Sequence, residues 1–176
     1  YLQLLPGESL FVRTFSDRDL EGRPWKYLEE AGAPIEITDE WHVEFIDGAP
    51  ELPEPFTTKH LDSWTTLGDA AAKRFAGTAH YSIEFELPED ASAADWILDL
   101  GRVYESARVR INGVEAGVVW SVPFRTRVGR FLRPGRNTLE LDVTNVPANR
   151  IRDMDRRGVE WERMYDANIV NGDYRR

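Results

Sequence analysis

One stretch of strict alternation between apolar and polar residues constrains the fold of this chain most. In residues 77–87 every second position is apolar and the positions between are mostly polar; the apolar ones are Ala79, Tyr81, Ile83, Phe85 and Leu87. A period of two over this length predicts a β-strand with one face buried and the other in water. Shorter alternations recur in residues 96–100, 107–111, 124–128 and 139–143. A series of short strands is therefore expected.

Turn signals separate these strands. Asn112 and Gly113 directly follow the 107–111 alternation and form the pair favoured in a two-residue type I′ hairpin. Residues 114–120 are the expected returning strand, in which Gly117 marks a possible bulge. About eight short strands with one or two helical turns predict an all-β fold, an antiparallel β-sandwich of the jelly-roll type.

The first third of the chain is less regular. Residues 10–15 predict a lead-in strand, and residues 16–34, broken by Gly and Pro, predict a connector. Residues 35–46 are expected to be extended, and residues 69–74 to form one or two helical turns with Asp69 as N-cap. We therefore divide the chain into residues 1–34, a lead-in strand and connector, and residues 35–176, the sandwich domain.

Composition excludes several function classes. The formal net charge of −9 argues against nucleic acid and anionic membranes as partners, which favour basic surfaces. The absence of Cys excludes disulfides, thiolate catalysis and cysteine–zinc sites. The chain has no apolar run of the ~20 residues that a membrane span requires. Because it begins at Tyr1, without a signal peptide and within an apparently structured segment, we expect it to be a piece of a longer polypeptide.

The C-terminal part has a different character. Residues 149–157, NRIRDMDRR, are dense in both charge signs, and residues 167–170 resemble a closing strand. Residues 147–164 are then a long excursion at one end of the sandwich, and long loops in compact domains are usually functional or disordered. Trp161, Met164 and Tyr165 favour an ordered loop.

Three segments carry a family resemblance. FAGTAHYSIEFELPE, WILDLGRVYESARVRINGVEAGVVWSVPFR and LRPGRNTLELDVTNVPANR resemble, in order, the sugar-binding jelly-roll domain of family 2 glycoside hydrolases, which is galactose-binding-domain-like. The tail ANRIRDMDRRGVEWERMYDANIVNGDYR and the lead-in LLPGESLFVRTF are similar to the C-terminal region of family 106 glycoside hydrolases, the α-L-rhamnosidase type. The first resemblance covers residues 75–147, and the second covers most of the chain.

The resemblance implies a non-catalytic module that accompanies a catalytic domain absent from this chain. It implies a bacterial parent enzyme, periplasmic or extracellular, that acts on rhamnose-containing polysaccharide. The expected partners are that catalytic domain and rhamnose-containing oligo- or polysaccharide.

No residue set predicts independent catalysis. A glycosidase site needs two carboxyl groups about 5–9.5 Å apart. The alternation places the carboxylates of the strands on solvent-facing sides, where charged residues ordinarily lie, so they do not indicate a catalytic pair. The segment that begins with Asp153 and Asp155 partly resembles an EF-hand calcium loop. It does not match the motif, because Arg157 and Met164 occupy positions at which the loop needs oxygen ligands. A structural Ca²⁺ remains an open alternative, with no ligands assigned. His42 and Glu44 share a strand face but do not make a metal site.

The end loops hold the candidate contact residues. Sugar recognition combines an aromatic face with amide or charged groups that bind hydroxyls. By analogy with family 2, the loop after the 139–143 strand, residues 145–161, is expected to face a partner domain or a sugar. The candidates for carbohydrate or domain contact are Trp120, Asn145, Asn149, Arg150, Asp153, Asp155, Arg156, Arg157 and Trp161. The alternative is that Trp161 and Met164 plug the core while the Arg and Asp residues pair with one another.

Three functions follow, and the sequence does not rank the first two. One is a carbohydrate-binding module, and the second is a structural module that docks on the catalytic domain and shapes its active-site rim. The third, a free-standing hydrolase, is disfavoured because no paired-carboxylate site is evident.

Overall fold

Two antiparallel sheets confirm the predicted β-sandwich. The computed structural model describes residues 2–4, 9–22, 27, 29–89, 93 and 95–161. Within them lie eight strands, β1 (Trp41–Ala49), β2 (Phe56–Thr58), β3 (Ala76–Leu87), β4 (Ile97–Asp99), β5 (Ser106–Ile111), β6 (Val114–Val119), β7 (Arg125–Arg127) and β8 (Gly135–Thr144). Six strands form the main sheet in the order β2-β1-β3-β8-β5-β6, and β4 pairs with β7 in a small second sheet.

Helical structure is short. There are two α-helices in the described residues, α1 (Trp64–Leu67) and α2 (Ala148–Arg156), and two 3₁₀ turns (Ala72–Arg74 and Gly129–Phe131). The predicted helical segment 69–74 is thus a single 3₁₀ turn, and the Asp69 carboxylate accepts a hydrogen bond from the Ala72 N–H at 2.9 Å. Helix α1 was missed by the sequence analysis; its start is capped by the Ser63 hydroxyl, which accepts from the Thr65 N–H at 3.3 Å.

The hairpin between β5 and β6 has the predicted geometry. Asn112 and Gly113 have φ angles of 52° and 77°, as a type I′ turn requires of both central residues. Gly117 has a φ of 141°, and the register shifts so that Val109 faces Gly117 while Arg110 faces Glu115. One extra residue in β6 is the signature of a bulge, so this prediction is also confirmed.

The alternating residues of the central strands build the core. On β3, Ala79, Tyr81 and Ile83 are buried, and they face the interior together with the apolar residues of β5 and β8. The aromatic rings of Phe45, Trp64 and Phe75 meet edge to face, with Phe45 and Phe75 centroids 5.0 Å apart. This cluster fills the end of the sandwich at which β3 begins.

One prediction for the first part of the chain is wrong, and a second holds in part. Residues 10–15 form no strand in the structure, and Phe11 is fully exposed. An apolar run without a neighbouring strand leaves its backbone hydrogen bonds unmade, so the pattern alone does not produce a strand. The extended segment expected at 35–46 is confirmed from Trp41 onward, where pairing with β2 and β3 begins and inward and outward residues alternate.

A polar network on the outer face of the main sheet makes stability depend on pH. Asp142 bonds His80 Nδ1 at 2.8 Å and the Arg110 guanidinium. Burial alone would raise the pKa of Asp142, but the hydrogen bonds from Arg110 and His80 outweigh it and hold this pKa below its ordinary value of 3.8.

The lowered pKa predicts a loss of stability in acid. Above about pH 5 this carboxyl is ionised in both the folded and the unfolded state. As pH falls toward the ordinary pKa of 3.8, the unfolded chain binds the proton first, and stability declines until the pH lies below the lowered pKa of the folded state. Asp142→Asn should flatten this decline in urea unfolding measured between pH 2 and pH 5. Asp155→Asn, on the exposed side of α2, is the control and should leave the acid slope unchanged. An equal slope in wild type and Asp142→Asn would contradict the role of this network.

Candidate contact surface at one end of the sandwich

The sheet topology brings the predicted contact residues to one end of the molecule. Thr144, at the end of β8, pairs with Thr78 near the start of β3 and with Ser106 at the start of β5, while Ala107 pairs with Val119 at the end of β6. Trp120 and Asn145, which directly follow β6 and β8, therefore leave the main sheet at the same end. Neighbouring strands lie about 4.8 Å apart, so these two positions are separated by the width of roughly two strand spacings.

Helix α2 corrects the long loop expected at residues 147–164. Five of the predicted contact residues lie within it, namely Asn149, Arg150, Asp153, Asp155 and Arg156, and Arg157 is its C-cap. The helix packs beside the 3₁₀ turn 72–74 and strand β3. The predicted closing strand at 167–170 and the residues Met164 and Tyr165 lie outside the described residues.

The sequence contains two local signals for helix α2, an apolar spacing and a C-terminal glycine, but each involves only a few residues. Ile151 and Met154, three residues apart, are half-buried on one face, as helix periodicity requires. Gly158, with a φ of 66°, ends the helix: its N–H donates to Asp155 O at 3.1 Å, and the Val159 N–H donates to Met154 O at 2.9 Å. These two bonds are the Schellman motif, which sequence analysis can anticipate from a Gly after a charged, amphipathic segment.

Asn145 has a structural role. Its side-chain amide donates to Phe75 O at 3.1 Å, and its side-chain oxygen accepts from the Gly77 N–H at 2.9 Å. The Asn145 N–H also donates to Gly77 O at 3.1 Å. These bonds extend the pairing of β3 and β8 by one residue. The Asn145 side chain, which was expected to contact a ligand, therefore bonds the backbone of its own domain.

The central acidic residue of α2 is likewise occupied. Asp153 Oδ2 lies 3.5 Å from Arg150 Nη1 and 3.2 Å from Arg157 Nη1, in i,i+3 and i,i+4 pairs along the helix. Such pairs contribute about 0.2–0.5 kcal/mol each to a helix. Arg150, Asp153 and Arg157 thus pair with one another, as the alternative to a contact role expected of the Arg and Asp residues in this segment. Asp155 and Arg156 are exposed, as is Trp161.

Four exposed apolar side chains lie in the loops at this end of the sheet. Trp120 is 73% exposed, Tyr104 66%, Val122 61% and Val146 47%, and we call these four residues the end patch. Tyr104 belongs to the segment before β5, whose Glu105 N–H donates to Thr144 O at 2.8 Å, so it lies beside the end of β8. The sequence analysis identified Trp120 alone, because the other three lie in loops where no periodicity distinguishes an exposed apolar residue from a buried one.

The described residues bear on two further expectations. They hold no group of three or more His, Asp or Glu side chains arranged to bind a metal ion. In the same part of the chain, no helix combines the length and apolarity needed to cross a membrane. A calcium site therefore stays a prediction without assigned ligands.

Comparisons with known proteins connect the fold to glycoside hydrolases. No protein-family model matches the chain. A protein from Formosa agariphila named "Putative beta-glucuronidase" is 30% identical over 153 residues, which cover 85% of this chain and 13% of the relative. Among solved structures, a rhamnosidase from Novosphingobium sp. PP1Y is 32% identical over 76% of the chain, with a TM-score of 0.64.

More distant structures share the fold. A β-glucuronidase from Ruminococcus gnavus is 22% identical over 61% of the chain, with a TM-score of 0.51, and at this identity the likeness concerns the fold alone. The chain spans 13% of the Formosa and Novosphingobium proteins and 21% of the Ruminococcus enzyme. The chain is thus similar to a small part of much longer proteins, and these are named as glycoside hydrolases.

Proposed function

We propose that this chain is a non-catalytic accessory β-sandwich module of a bacterial glycoside hydrolase, and that its end patch contacts another domain of the same polypeptide. The observation that carries the proposal is the exposure of Trp120 and Tyr104 with two valines at one end of the sandwich. Large exposed apolar side chains that share one end of a domain are common at protein contact sites. The relatives support it, because each is several times longer than the chain.

Several finer statements belong to the same proposal. The parent enzyme would be periplasmic or extracellular and would act on rhamnose-containing polysaccharide, as the Novosphingobium rhamnosidase and the family 106 resemblance suggest. Residues 35–176 would be the sandwich domain and residues 1–34 its lead-in segment. In this account α2 borders the interface, with Asp155, Arg156 and Trp161 at the rim.

The docking proposal predicts that a charge in the end patch uncouples the domains. In the complete polypeptide, Trp120→Glu should separate the unfolding of this module from that of its neighbour, giving a second transition in scanning calorimetry. The physical reason is that burying an unpaired carboxylate costs several kcal/mol, about as much as a small interdomain interface contributes.

The matched control is Val114→Glu at the opposite end of the same strand. Val114 is 54% exposed and begins β6, whereas Trp120 directly follows it. This control should keep the wild-type calorimetric profile. An unchanged profile for Trp120→Glu as well would contradict docking through the end patch.

A second candidate function is direct carbohydrate binding. The exposure of two aromatic side chains at one end favours it, because exposed rings can stack on the apolar face of a sugar. Calorimetric titration of the folded chain with rhamnose-containing oligosaccharides tests it. Heat of binding that disappears in Trp120→Ala would support this function, and no heat at millimolar sugar would exclude it.

A further inference from the structure

Three consecutive apolar residues near the start of the chain are exposed, and the end patch does not include them. Phe11 is fully exposed, Val12 is 65% exposed and Leu10 is 38% exposed. One exposed apolar residue is ordinary on a protein surface, whereas an uninterrupted run of them indicates a contact site. We call residues 10–15, which contain these three side chains, the lead-in run.

The backbone of the lead-in run is unpaired. Within the part of the chain that the structure describes, it belongs to neither sheet and makes no turn or loop hydrogen bond. Its backbone N–H and C=O groups are therefore open to another strand. Because the sequence pattern of the run predicts a strand, what it lacks is a neighbour to pair with.

Two contacts of one aromatic ring indicate that the run is extended and ends at a bend. The Arg13 guanidinium carbon lies 4.7 Å from the centroid of the Phe15 ring. Side chains two residues apart share a side of an extended chain but do not face each other on a helix. The Arg18 guanidinium lies over the same ring at 4.4 Å, across the bend at residues 16–18.

Apolar side chains on both sides of the run indicate the kind of partner that it fits. In an extended chain Leu10 and Val12 point to one side and Phe11 to the other. A strand with apolar residues on both sides is typical of a sheet that is covered on both faces. Such a strand can add to an open sheet edge, where it gains main-chain hydrogen bonds and places alternate side chains against apolar surface.

A second copy of this chain is a poor partner for the run. Among the described strands at sheet edges, β2, β4 and β7 have three residues each, and β6 contains the bulge at Gly117. Short and bulged edges resist the addition of a strand. The open edge is therefore expected in a different domain.

We propose that the lead-in run adds a strand to an open sheet edge in another domain of the same polypeptide. This rests on the proposed function, in which the chain is one module of a longer enzyme. The relatives support it, because the chain spans 13% of the Formosa and Novosphingobium proteins, and polypeptides of such length have room for further domains.

Hydrogen–deuterium exchange read by mass spectrometry tests the proposal. In the chain alone, the peptide that contains residues 10–15 should exchange at the rate of an unstructured chain, because no hydrogen bond protects its amides. In the complete polypeptide, about half of these amides should exchange at least about a hundredfold more slowly, because an added strand bonds every second N–H to its neighbour. Fast exchange there would overturn the proposal, as would slow exchange that arises in the chain alone when its concentration is raised.

A charge in the run provides the second test. In the complete polypeptide, Phe11→Asp should restore fast exchange to residues 10–15, because the carboxylate would be placed against apolar surface. Leu20→Asp is the matched control: Leu20 is 62% exposed and lies beyond the bend, so slow exchange should remain. Slow exchange that persists in Phe11→Asp would contradict the proposal.

The variant Trp120→Glu separates this proposal from docking through the end patch. Trp120 does not belong to the lead-in run, so the run should still exchange slowly in this variant even where calorimetry shows a second transition. Fast exchange of the run in Trp120→Glu would show that its protection depends on the end patch, and would overturn an independent strand contact. An unchanged calorimetric profile with slow exchange of the run would contradict the end patch alone and support the strand contact.

Discussion

Asn137→Ala should lower the free energy of unfolding by about 3–5 kcal/mol, because it leaves several buried polar groups without partners. Asn137 is fully buried in β8, and its side chain makes four hydrogen bonds. The side-chain oxygen accepts from Asn112 Nδ2 at 2.9 Å and from the Arg133 N–H at 3.0 Å. The amide nitrogen donates to Arg133 O at 2.7 Å and to Gly135 O at 2.8 Å.

This side chain connects the two turns that set the register of the main sheet. Asn112 belongs to the β5–β6 hairpin, and Arg133 lies in the turn that leads into β8 at Gly135. Urea unfolding followed by tryptophan fluorescence measures the loss. Thr138→Ala, the next residue on the opposite face of β8, is the control and should cost less than about 1 kcal/mol. Equal stabilities of the two variants would contradict the assigned network.

Phe75→Ala should cost about 3–5 kcal/mol, the usual loss for a large aromatic side chain removed from a core. Phe75 is fully buried, and its ring meets Phe45 and Trp64 edge to face. The ring also lies against the backbone at Gly48 and Gly77, where a Cβ would come within 2.6 Å and 2.7 Å of its Cζ. Glycine at both positions thus makes room for this ring.

The same substitution should loosen the candidate surface. Phe75 O accepts the Asn145 amide, so displacement of this backbone weakens the last bonds between β3 and β8 and the base of α2. Amide hydrogen exchange at Gly77 and Asn145 should therefore accelerate together with the loss of stability. Phe11→Ala provides the control, because Phe11 is fully exposed and should change the free energy of unfolding by less than about 0.5 kcal/mol. Unchanged exchange at Asn145 in Phe75→Ala would contradict this coupling.

Local patterns predicted the strands well because alternation and turn chemistry act over a few residues. The 77–87 alternation, the Asn112 and Gly113 hairpin and the Gly117 bulge all lie where the sequence placed them. The strand predicted at residues 10–15 is absent because a strand needs a neighbouring strand to pair with. A local sequence pattern does not show whether such a neighbour exists. The helix at 148–156 was missed because its apolar face is narrow and lies among many Arg and Asp residues, so the helical periodicity is weak.

The candidate surface was only partly predictable for a similar reason. Sequence position identified Trp120 and Asn145 at two strand ends, and the register of the main sheet in the structure places these two ends side by side. It did not reveal that Asn145 bonds the start of β3, because that contact spans 68 residues. It also missed Tyr104 and Val146, whose exposure depends on how the ends of β5 and β8 leave the sheet.

We propose above all that this chain is an accessory module without catalytic activity of its own. Release of nitrophenol from aryl α-L-rhamnoside and aryl β-D-glucuronide tests it most directly, with the folded chain and the complete polypeptide assayed side by side. We predict turnover of at least one substrate by the complete polypeptide and none above buffer by the chain alone. Turnover by the folded chain alone would contradict the account.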